Sequence, residues 1–210
     1  MNMAYKENYP SALLGEAVDA ISSLPGVGRR SALRLALHLL KQPQEHVHHF
    51  TDSIRRLRDE VRYCRECRMI SDGEVCSYCG DSRRNHRQIC VVESVRDVMS
   101  IEATGQYHGL YHVLGGIISP MAGVGPSDLT IRDLVERLEG MDTPSGTEVI
   151  LALGGDVEGE TTAFYIYRQI APIGVSVTTL ARGLGFGDDL EYADSLTLGR
   201  SIAARQPFKV

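Results

Sequence analysis

Four of the five cysteines lie within sixteen residues, as two C-x-x-C pairs separated by eight residues. These four are Cys64, Cys67, Cys76 and Cys79. Thiolates at this spacing favour tetrahedral Zn²⁺, and four protein ligands leave no position for a reacting water. The spacing therefore predicts a structural zinc site with one ion per chain, and the alternatives are a redox dithiol or a chance cluster. The fifth cysteine, Cys90, falls in an apolar run and is predicted to be a buried thiol.

A glycine-containing turn followed by arginines is the second group of residues that could do chemistry. The turn Leu24–Gly28 (LPGVG) lies between two amphipathic helical patterns. Glycines let the backbone approach a surface, and the first N–H groups of the next helix attract an anion. The pattern resembles the helix-hairpin-helix motif and predicts binding to DNA phosphates without base reading; the alternative is an ordinary αα-hairpin. The candidate DNA-binding residues are Gly26, Gly28, Arg29, Arg30 and Arg34.

Carboxylates follow two strand-like runs in the second half of the chain. Glu93 comes after one run, and Asp156 and Glu158 come after another. In open α/β sheets, sites collect at the carboxyl ends of strands. The pattern resembles the Toprim domain, in which a Glu and an Asp-x-Asp bind Mg²⁺, although here the second motif is Asp156-x-Glu158. The three acids are candidates for Mg²⁺ or partner binding; the alternative is helix N-terminal carboxylates that the helix dipole stabilises. Glu158 is expected to project outward.

Length and composition limit the class of protein. A chain of 210 residues with 43% hydrophobic and 23% charged residues is typical of a soluble globular protein of one ordinary or two to three small domains. No apolar run approaches the roughly 20 residues needed to cross a bilayer. Residues 1–10 lack the apolar region of a signal peptide, so we expect a cytoplasmic protein without a membrane segment.

Charge is unevenly distributed along the chain. Residues 1–90 carry 14 Lys and Arg against 11 Asp and Glu, whereas the remainder carries 8 against 16. Of the 22 basic residues, 19 are Arg, whose planar guanidinium suits phosphate oxygens. The split indicates nucleic acid as the partner of the first part, and protein or metal as the partner of the second.

Periodicity predicts the elements that must position these residues. Three helices are expected in the first part, at Leu13–Leu24, Ser31–Leu40 and Val47–Tyr63. From Gln88 onward, short apolar runs alternate with helical patterns, which is typical of a parallel α/β sheet. The strand candidates are Ile89–Val92, Tyr111–Leu114, Glu148–Leu153 and Val175–Leu180. The helix candidates are Val95–Thr104, Ile131–Glu139 and Glu160–Ile170.

The order of these features resembles the RecR family of bacterial recombination mediators over essentially the whole chain. The matching strings include LPGVGRRSA, ICVVES, HVLGGIISPMAGVGP, VEGETTA and ARGLGFGDDLEYADSLTL. The resemblance implies an α/β multidomain protein. Its expected parts are a helix-hairpin-helix domain at 1–63, a C4-type zinc finger at 64–79, a Toprim-type parallel sheet at 87–182 and a C-terminal assembly segment at 183–210.

The resemblance also implies a function. Members of this family are not enzymes: with RecO and RecF they help to load RecA onto single-stranded or gapped DNA. It implies a ring-shaped homotetramer with exchanged terminal segments, in which Leu180–Asp194 belongs to the assembly region. Arg30 and Arg34 correspond to the family's DNA contacts and the four cysteines to its zinc ligands. Glu93, Asp156 and Glu158 form the Toprim acidic face, which in the family is tied to RecO more than to catalysis.

Two other classes of protein remain open from the residues alone. One is a Mg²⁺-dependent Toprim nuclease or primase-like enzyme that uses the three acids. The other is a zinc-ribbon module that binds structured RNA.

Overall fold

The computed structural model describes residues 9–181, 183, 184, 189–205 and 207. The chain divides after Glu60 into two compact units. The first unit is helical, and the second contains the cysteine block and a parallel sheet. Among the described residues, no helix has the length and apolar character that crossing a membrane requires.

Three helices form the first unit: α1 (Ala12–Ser22), α2 (Arg29–Leu40) and α3 (Gln44–Glu60). Val18 of α1 packs against Ala32 and Ala36 of α2, so small side chains let the two helices approach closely. This pair forms the hairpin that the sequence predicts.

The limits of α3 differ from the predicted Val47–Tyr63. The helix begins earlier because Pro43, which has no N–H to donate, offers its carbonyl oxygen to the amide of Val47 at 3.3 Å. It ends earlier because residues 62 and 63 belong to an extended strand. That strand, β1 (Arg62–Tyr63), pairs antiparallel with β2 (Ile70–Ser71) and begins the cysteine block.

A four-stranded parallel sheet organises the second unit, in the order β4-β3-β5-β6. Its strands are β3 (Asn85–Val92), β4 (Gly109–Val113), β5 (Glu148–Ala152) and β6 (Ser176–Thr179). The helices are α4 (Val95–Ala103), α5 (Ile131–Glu139), α6 (Val157–Ile170) and α7 (Ser195–Ala203). The chain runs outward from β3 to β4 and returns to β5, so the topological switch point lies between β3 and β5.

The sheet separates two hydrophobic clusters. One cluster joins Ile89, Val91 and Val149 of the strands to buried leucines and isoleucines of α5 and α6. The other joins Cys90 and Tyr111 to Val98 of α4 and to three of the paired cysteines, Cys64, Cys67 and Cys76. The cysteine block therefore packs in the hydrophobic core on one face of the sheet, and Cys90 is buried there as predicted.

Candidate functional site

The two C-x-x-C pairs form two similar backbone turns. In the first, the amide of Arg68 donates to the carbonyl of Cys64 at 2.9 Å; in the second, the amide of Gly80 donates to the carbonyl of Cys76 at 3.0 Å. Backbone amides also donate to sulfur, from Cys76 to Cys64 Sγ at 3.3 Å. Such N–H···S bonds favour the ionised thiolate, which is the metal-binding form.

The four sulfur atoms converge on a single point. They all lie within 4.8 Å of one another, and the Cys67 and Cys76 sulfurs are 3.4 Å apart. Tetrahedral Zn²⁺ with Zn–S bonds of about 2.3 Å places its sulfurs about 3.8 Å apart, so this donor set fits the ion. In the absence of an ion, the hydrogen bond between the two sulfurs lowers the pKa of the Cys76 thiol and raises the pKa of the Cys67 thiol. The residues form a four-cysteine zinc site.

Contacts outside the ligand set fix this zinc finger on the sheet. The amide of Val113, at the end of β4, donates to the carbonyl of Cys67 at 2.9 Å. The Arg84 guanidinium lies 4.7 Å from the ring centroid of Tyr78 in the second turn and pairs with Glu102 at 2.6 Å. The cation–π contact and the ion pair hold the finger against the Toprim-type sheet.

The hairpin of the first unit exposes the start of α2. Gly26 has a φ of +80°, in the left-handed region that disfavours other residues, and it reverses the chain after α1. Gly28 is the N-cap of α2 and provides no side-chain hydrogen bond, and neither glycine has an atom within 4 Å of the place where a Cβ would stand. The N-cap therefore provides no side-chain acceptor for the start of α2, and a helix start of this kind attracts an anion.

The three candidate arginines of the hairpin differ in their contacts. Arg29 pairs with Asp19 of α1 at 2.6 Å, which ties the second helix to the first. Arg30 and Arg34 are exposed, and the part of the chain that the structure describes provides no ion pair for either one. Arg30 and Arg34 are thus the better candidates for phosphate contacts.

The same face of α2 carries two further polar side chains that the sequence analysis did not assign. His38 and Lys41 follow Arg30 and Arg34 at intervals of four and three residues, which brings all four onto one side of a helix. Together with Leu33 and Leu37 they line a surface groove of about 450 Å³. The helical spacing was the signal that could have found them.

The three candidate carboxylates lie near the switch point of the sheet. Glu93 follows β3, and Asp156 lies between β5 and α6, so both are at the carboxyl ends of neighbouring strands. Partial burial raises the pKa of the Glu93 carboxyl, and the negative charges of Asp97, Asp156 and Glu158 raise it further. These four residues are called the acidic edge below.

Local contacts explain three of these acids without a ligand. Asp97 accepts from the amide of Ser94 at 2.7 Å in a capping box at the start of α4. Asp156 is the N-cap of α6, and its carboxylate accepts from the amide of Gly159 at 2.8 Å. The Glu158 carboxylate accepts from the hydroxyl of Ser119 at 2.6 Å and is partly buried. The expectation that Glu158 projects outward is wrong, because a loop 39 positions earlier in the chain contacts its side chain.

The acidic edge lacks a convergent ligand set. Among the described residues, the only group of three or more candidate ligands that could share one ion is the four cysteines. Mg²⁺ requires oxygen ligands in a near-octahedral array. The acidic edge therefore differs from the zinc site, because its charges lie near one another without surrounding one point.

Comparison with protein families assigns four stretches of the chain to known domains. Residues 87–181 match the model described as Toprim domain. Three further models are specific to one protein family. They describe the RecR helix-hairpin-helix (residues 14–57), the RecR zinc finger domain with four cysteines (61–81) and the RecR C-terminal region (183–206). Together these matches define a multidomain protein with a helix-hairpin-helix, a zinc finger and a Toprim sheet.

Whole-chain relatives give the same assignment. The chain is 55% identical to recombination protein RecR of Bacteroides thetaiotaomicron over 203 residues, which cover 96% of this chain and 97% of the relative. It is 52% identical to the proteins of the same name from Flavobacterium johnsoniae and Porphyromonas gingivalis, with 96% of both chains covered in each pair. The chain therefore belongs to the RecR family of DNA repair and recombination mediators, which are not enzymes. The predicted family, fold class and zinc cofactor are confirmed.

Proposed function

We propose that this mediator binds DNA without sequence preference and, together with RecO and RecF, helps to load RecA onto single-stranded or gapped DNA. The observation that carries the proposal is the exposed cationic face of α2 beside the uncapped helix start at Gly28. Such a surface contacts phosphates and reads no bases. This function also places the protein in the cytoplasm, where chromosomal gaps arise.

The DNA site consists of the hairpin turn and the exposed face of α2 that carries Arg30 and Arg34. Gly26 and Gly28 let the phosphate backbone approach the start of α2, while Arg30 and Arg34 provide the charge. Arg29 fixes the geometry of the hairpin through Asp19 and contributes less directly. Lys41 lengthens this positive surface along the helix, with His38 between it and Arg34, so that one hairpin contacts several successive phosphates.

Several hairpins act together in this proposal. The chain carries a net charge of −5, which opposes binding of DNA by a single copy. Helix α3 supports an assembly, since it contains no buried residue and exposes Phe50, Ile54 and Leu57 along one side. We infer a homo-oligomer, namely the homotetramer that the resemblance to the family implies. Helix α3 is one of its assembly segments, and residues 183–210 are the second. Linked sites raise the effective concentration of each hairpin for the same DNA.

The acidic edge serves a protein partner in this proposal, with RecO the first candidate and RecF the second. Glu93, Asp156 and Glu158 form a negative surface without a convergent ligand set. Complementary charge on a partner would set the rate and the register of association. Mg²⁺ is not required for this role.

The DNA proposal is tested by titrating gapped and single-stranded DNA with Arg30→Ala/Arg34→Ala protein. We expect the slope of log affinity against log salt to fall by about one unit per lost phosphate contact. Arg132→Ala removes an exposed arginine of α5 that pairs with Glu136, and it should leave DNA binding unchanged. Unchanged affinity of the double variant at low salt would remove the hairpin from the proposal.

The partner proposal is tested with Glu158→Gln, which keeps a group able to accept from Ser119. This variant should retain zinc and DNA binding while its affinity for RecO falls. Normal RecO binding would contradict the role of the acidic edge. Cleavage of DNA by the wild-type protein with Mg²⁺, abolished by Glu93→Gln, would favour the Toprim enzyme instead.

A further inference from the structure

The zinc finger has one ligand that differs from the other three in its exposure. Cys64, Cys67 and Cys76 are at most 4% exposed, whereas Cys79 is half-buried. Cys79 also lines a surface pocket of about 390 Å³ within the second unit. A small molecule from solvent can therefore reach the metal centre at Cys79 more easily than at any of the other ligands.

The pocket beside Cys79 lies between the finger and the end of α5. Arg65 and Val75 of the finger line one side, and Arg137 and Met141 line the other. The volume is many times the roughly 30 Å³ that one water molecule occupies in the liquid. The pocket therefore admits water and other small polar molecules, of which hydrogen peroxide is one that reacts with thiolates.

A positive charge lies beside the sulfur of Cys79. Arg137 acts electrostatically on this sulfur and lines the same pocket. Its guanidinium donates to the carbonyl oxygen of Tyr111 at 2.8 Å, and the described part of the chain gives it no carboxylate partner. The charge of Arg137 therefore stabilises an anion in the pocket, either the thiolate or a hydroxide ion that leaves it.

Backbone hydrogen bonds also distinguish the four sulfurs. The amide of Cys79 donates to Cys76 Sγ at 3.5 Å, and the amide of Cys76 donates to Cys64 Sγ at 3.3 Å. Within the described residues, no backbone amide donates to the sulfur of Cys79. An N–H···S bond stabilises the charge of a thiolate and makes it less nucleophilic. Cys67 also lacks such a bond but is fully buried, so Cys79 is the ligand best placed to react.

We propose that Cys79 is a site of reversible oxidation by hydrogen peroxide and that Cys76 resolves the oxidised group. The Cys79 thiolate attacks one peroxide oxygen, so an S–O bond forms, the O–O bond breaks and a hydroxide ion leaves. The Cys76 thiolate then attacks the Cys79 sulfur, which forms the S–S bond, breaks the S–O bond and releases the second hydroxide. One peroxide thus oxidises two thiolates to one disulfide and is itself reduced to two hydroxide ions.

The position of this disulfide determines the structural result. Cys76 and Cys79 belong to one backbone turn, and their sulfurs lie within 4.8 Å of each other. An S–S bond of about 2.05 Å therefore requires only local movement. Cys64 and Cys67 of the other turn are then left without the two ligands that complete the tetrahedral set, so zinc is released and the finger loosens against the sheet. Oxidation acts on the second unit and leaves the hairpin of the first unit intact.

The test adds hydrogen peroxide in steps to the full-length, zinc-loaded protein and follows zinc release with a metal-binding dye. We expect about one zinc ion released for each disulfide formed, and mass spectrometry should find that disulfide between Cys76 and Cys79. In a parallel sample, dimedone traps sulfenic acids, and the first label should appear on Cys79. Dithiothreitol with added zinc should restore the original metal content.

Two variants make the test specific to Cys79. Cys79→His keeps a zinc-binding set of three cysteines and one histidine, and it should release zinc about ten-fold more slowly because imidazole offers no thiolate at the pocket. Cys90→Ala is the matched control, since Cys90 is buried outside the ligand set, and it should release zinc at the wild-type rate. If Cys79→His fails to bind zinc, the order of dimedone labelling in the wild-type chain decides the question.

Three results would overturn the proposal. The first is a dimedone label that appears on one of the buried cysteines before Cys79. The second is oxidation of Met141 in the same pocket while all four cysteines stay reduced. The third is zinc that stays bound in a large molar excess of peroxide, or that leaves Cys79→His as fast as the wild type. None of these results bears on the DNA or partner roles, which are tested separately.

Discussion

The zinc finger and the acidic edge are two clusters of potential metal ligands in one folded unit, and they are built in opposite ways. The four cysteine sulfurs lie within 4.8 Å of one another, and three of the four cysteines are buried. The carboxylates of the acidic edge are more exposed, and Asp156 and Glu158 make separate contacts with Gly159 and Ser119. Because the cysteine sulfurs surround one point, they form a closed metal centre that stabilises the fold. The carboxylates do not surround one point, so their negative charge stays available to a partner.

Among the changes that test this comparison, removal of zinc should lower the stability of the protein most. Structural zinc sites contribute roughly 10 to 16 kcal/mol of apparent binding free energy, which is comparable to the stability of a whole domain. Cys67→Ser should therefore lose the ion and unfold the finger, and it should loosen the sheet face that shares its core. Metal analysis together with thermal unfolding measures both effects.

The matched control for this prediction is Cys90→Ala. Cys90 lies in the same hydrophobic cluster but outside the ligand set, so this variant should keep about one zinc per chain. A metal-free wild-type protein with normal thermal stability would contradict the closed-centre interpretation.

The zinc ligands and the acidic edge were not equally predictable from sequence. The cysteine spacing is local, and a turn of fixed geometry brings each pair together, so all four ligands could be assigned. The environment of Glu158 depends on Ser119, which belongs to a loop distant in sequence, and no local sequence pattern predicts that contact.

The hairpin was predictable from sequence to an intermediate degree. Its turn and helices follow from Leu24–Gly28 and from helical periodicity, and both helices were predicted within a few residues. The pairing of Arg29 with Asp19 could not be predicted, because it depends on how α1 and α2 cross. The positions of His38 and Lys41 could have been predicted from the sequence, since helical spacing alone aligns them with Arg34.

Glycine substitutions provide the second test of the comparison. A Cβ at Gly159 would collide with the carbonyl oxygen of Gly154, so the loop between β5 and α6 would have to move. Gly159→Ala should destabilise the protein by about 1 to 3 kcal/mol, as overpacking does, and displace the acidic edge. Denaturant unfolding measures the loss.

The finger contains the control for this substitution. A Cβ at Gly73 meets nothing closer than 3.9 Å, so Gly73→Ala should change stability by less than about 0.5 kcal/mol. Equal effects of the two substitutions would indicate that the loop after β5 is not tightly packed.

Asp156 allows capping and charge to be separated. Asp156→Ala removes the N-cap of α6 and should cost about 1 kcal/mol. Asp156→Asn keeps a capping oxygen, so its free energy of unfolding should stay near that of the wild type while the edge loses one negative charge. Urea unfolding of the two variants at one pH makes the comparison. If both variants lose the same stability, the contribution of Asp156 is electrostatic and not a cap.

Substitution of Glu93 should have the smallest effect on stability, and that effect should depend on pH. Burial and three neighbouring carboxylates raise its pKa in the folded protein, so the ionised form destabilises the fold. The stabilising contribution of the protonated group is complete below the unfolded-state pKa of about 4.3 and is lost as pH rises through the folded-state pKa. Glu93→Gln should therefore unfold at a higher temperature than the wild type at pH 7, and the two curves should converge near pH 4.

The control is Glu139→Gln, which removes one exposed negative charge at the end of α5. If this variant diverges from the wild type with pH as strongly as Glu93→Gln does, the effect reflects net charge and not the acidic edge. A divergence confined to Glu93 means that the protein keeps an unfavourable charge at this position. A partner's lysine or arginine would make that charge favourable, so binding of such a partner should lower the pKa of Glu93, and its affinity should fall as the pH is lowered until Glu93 is protonated.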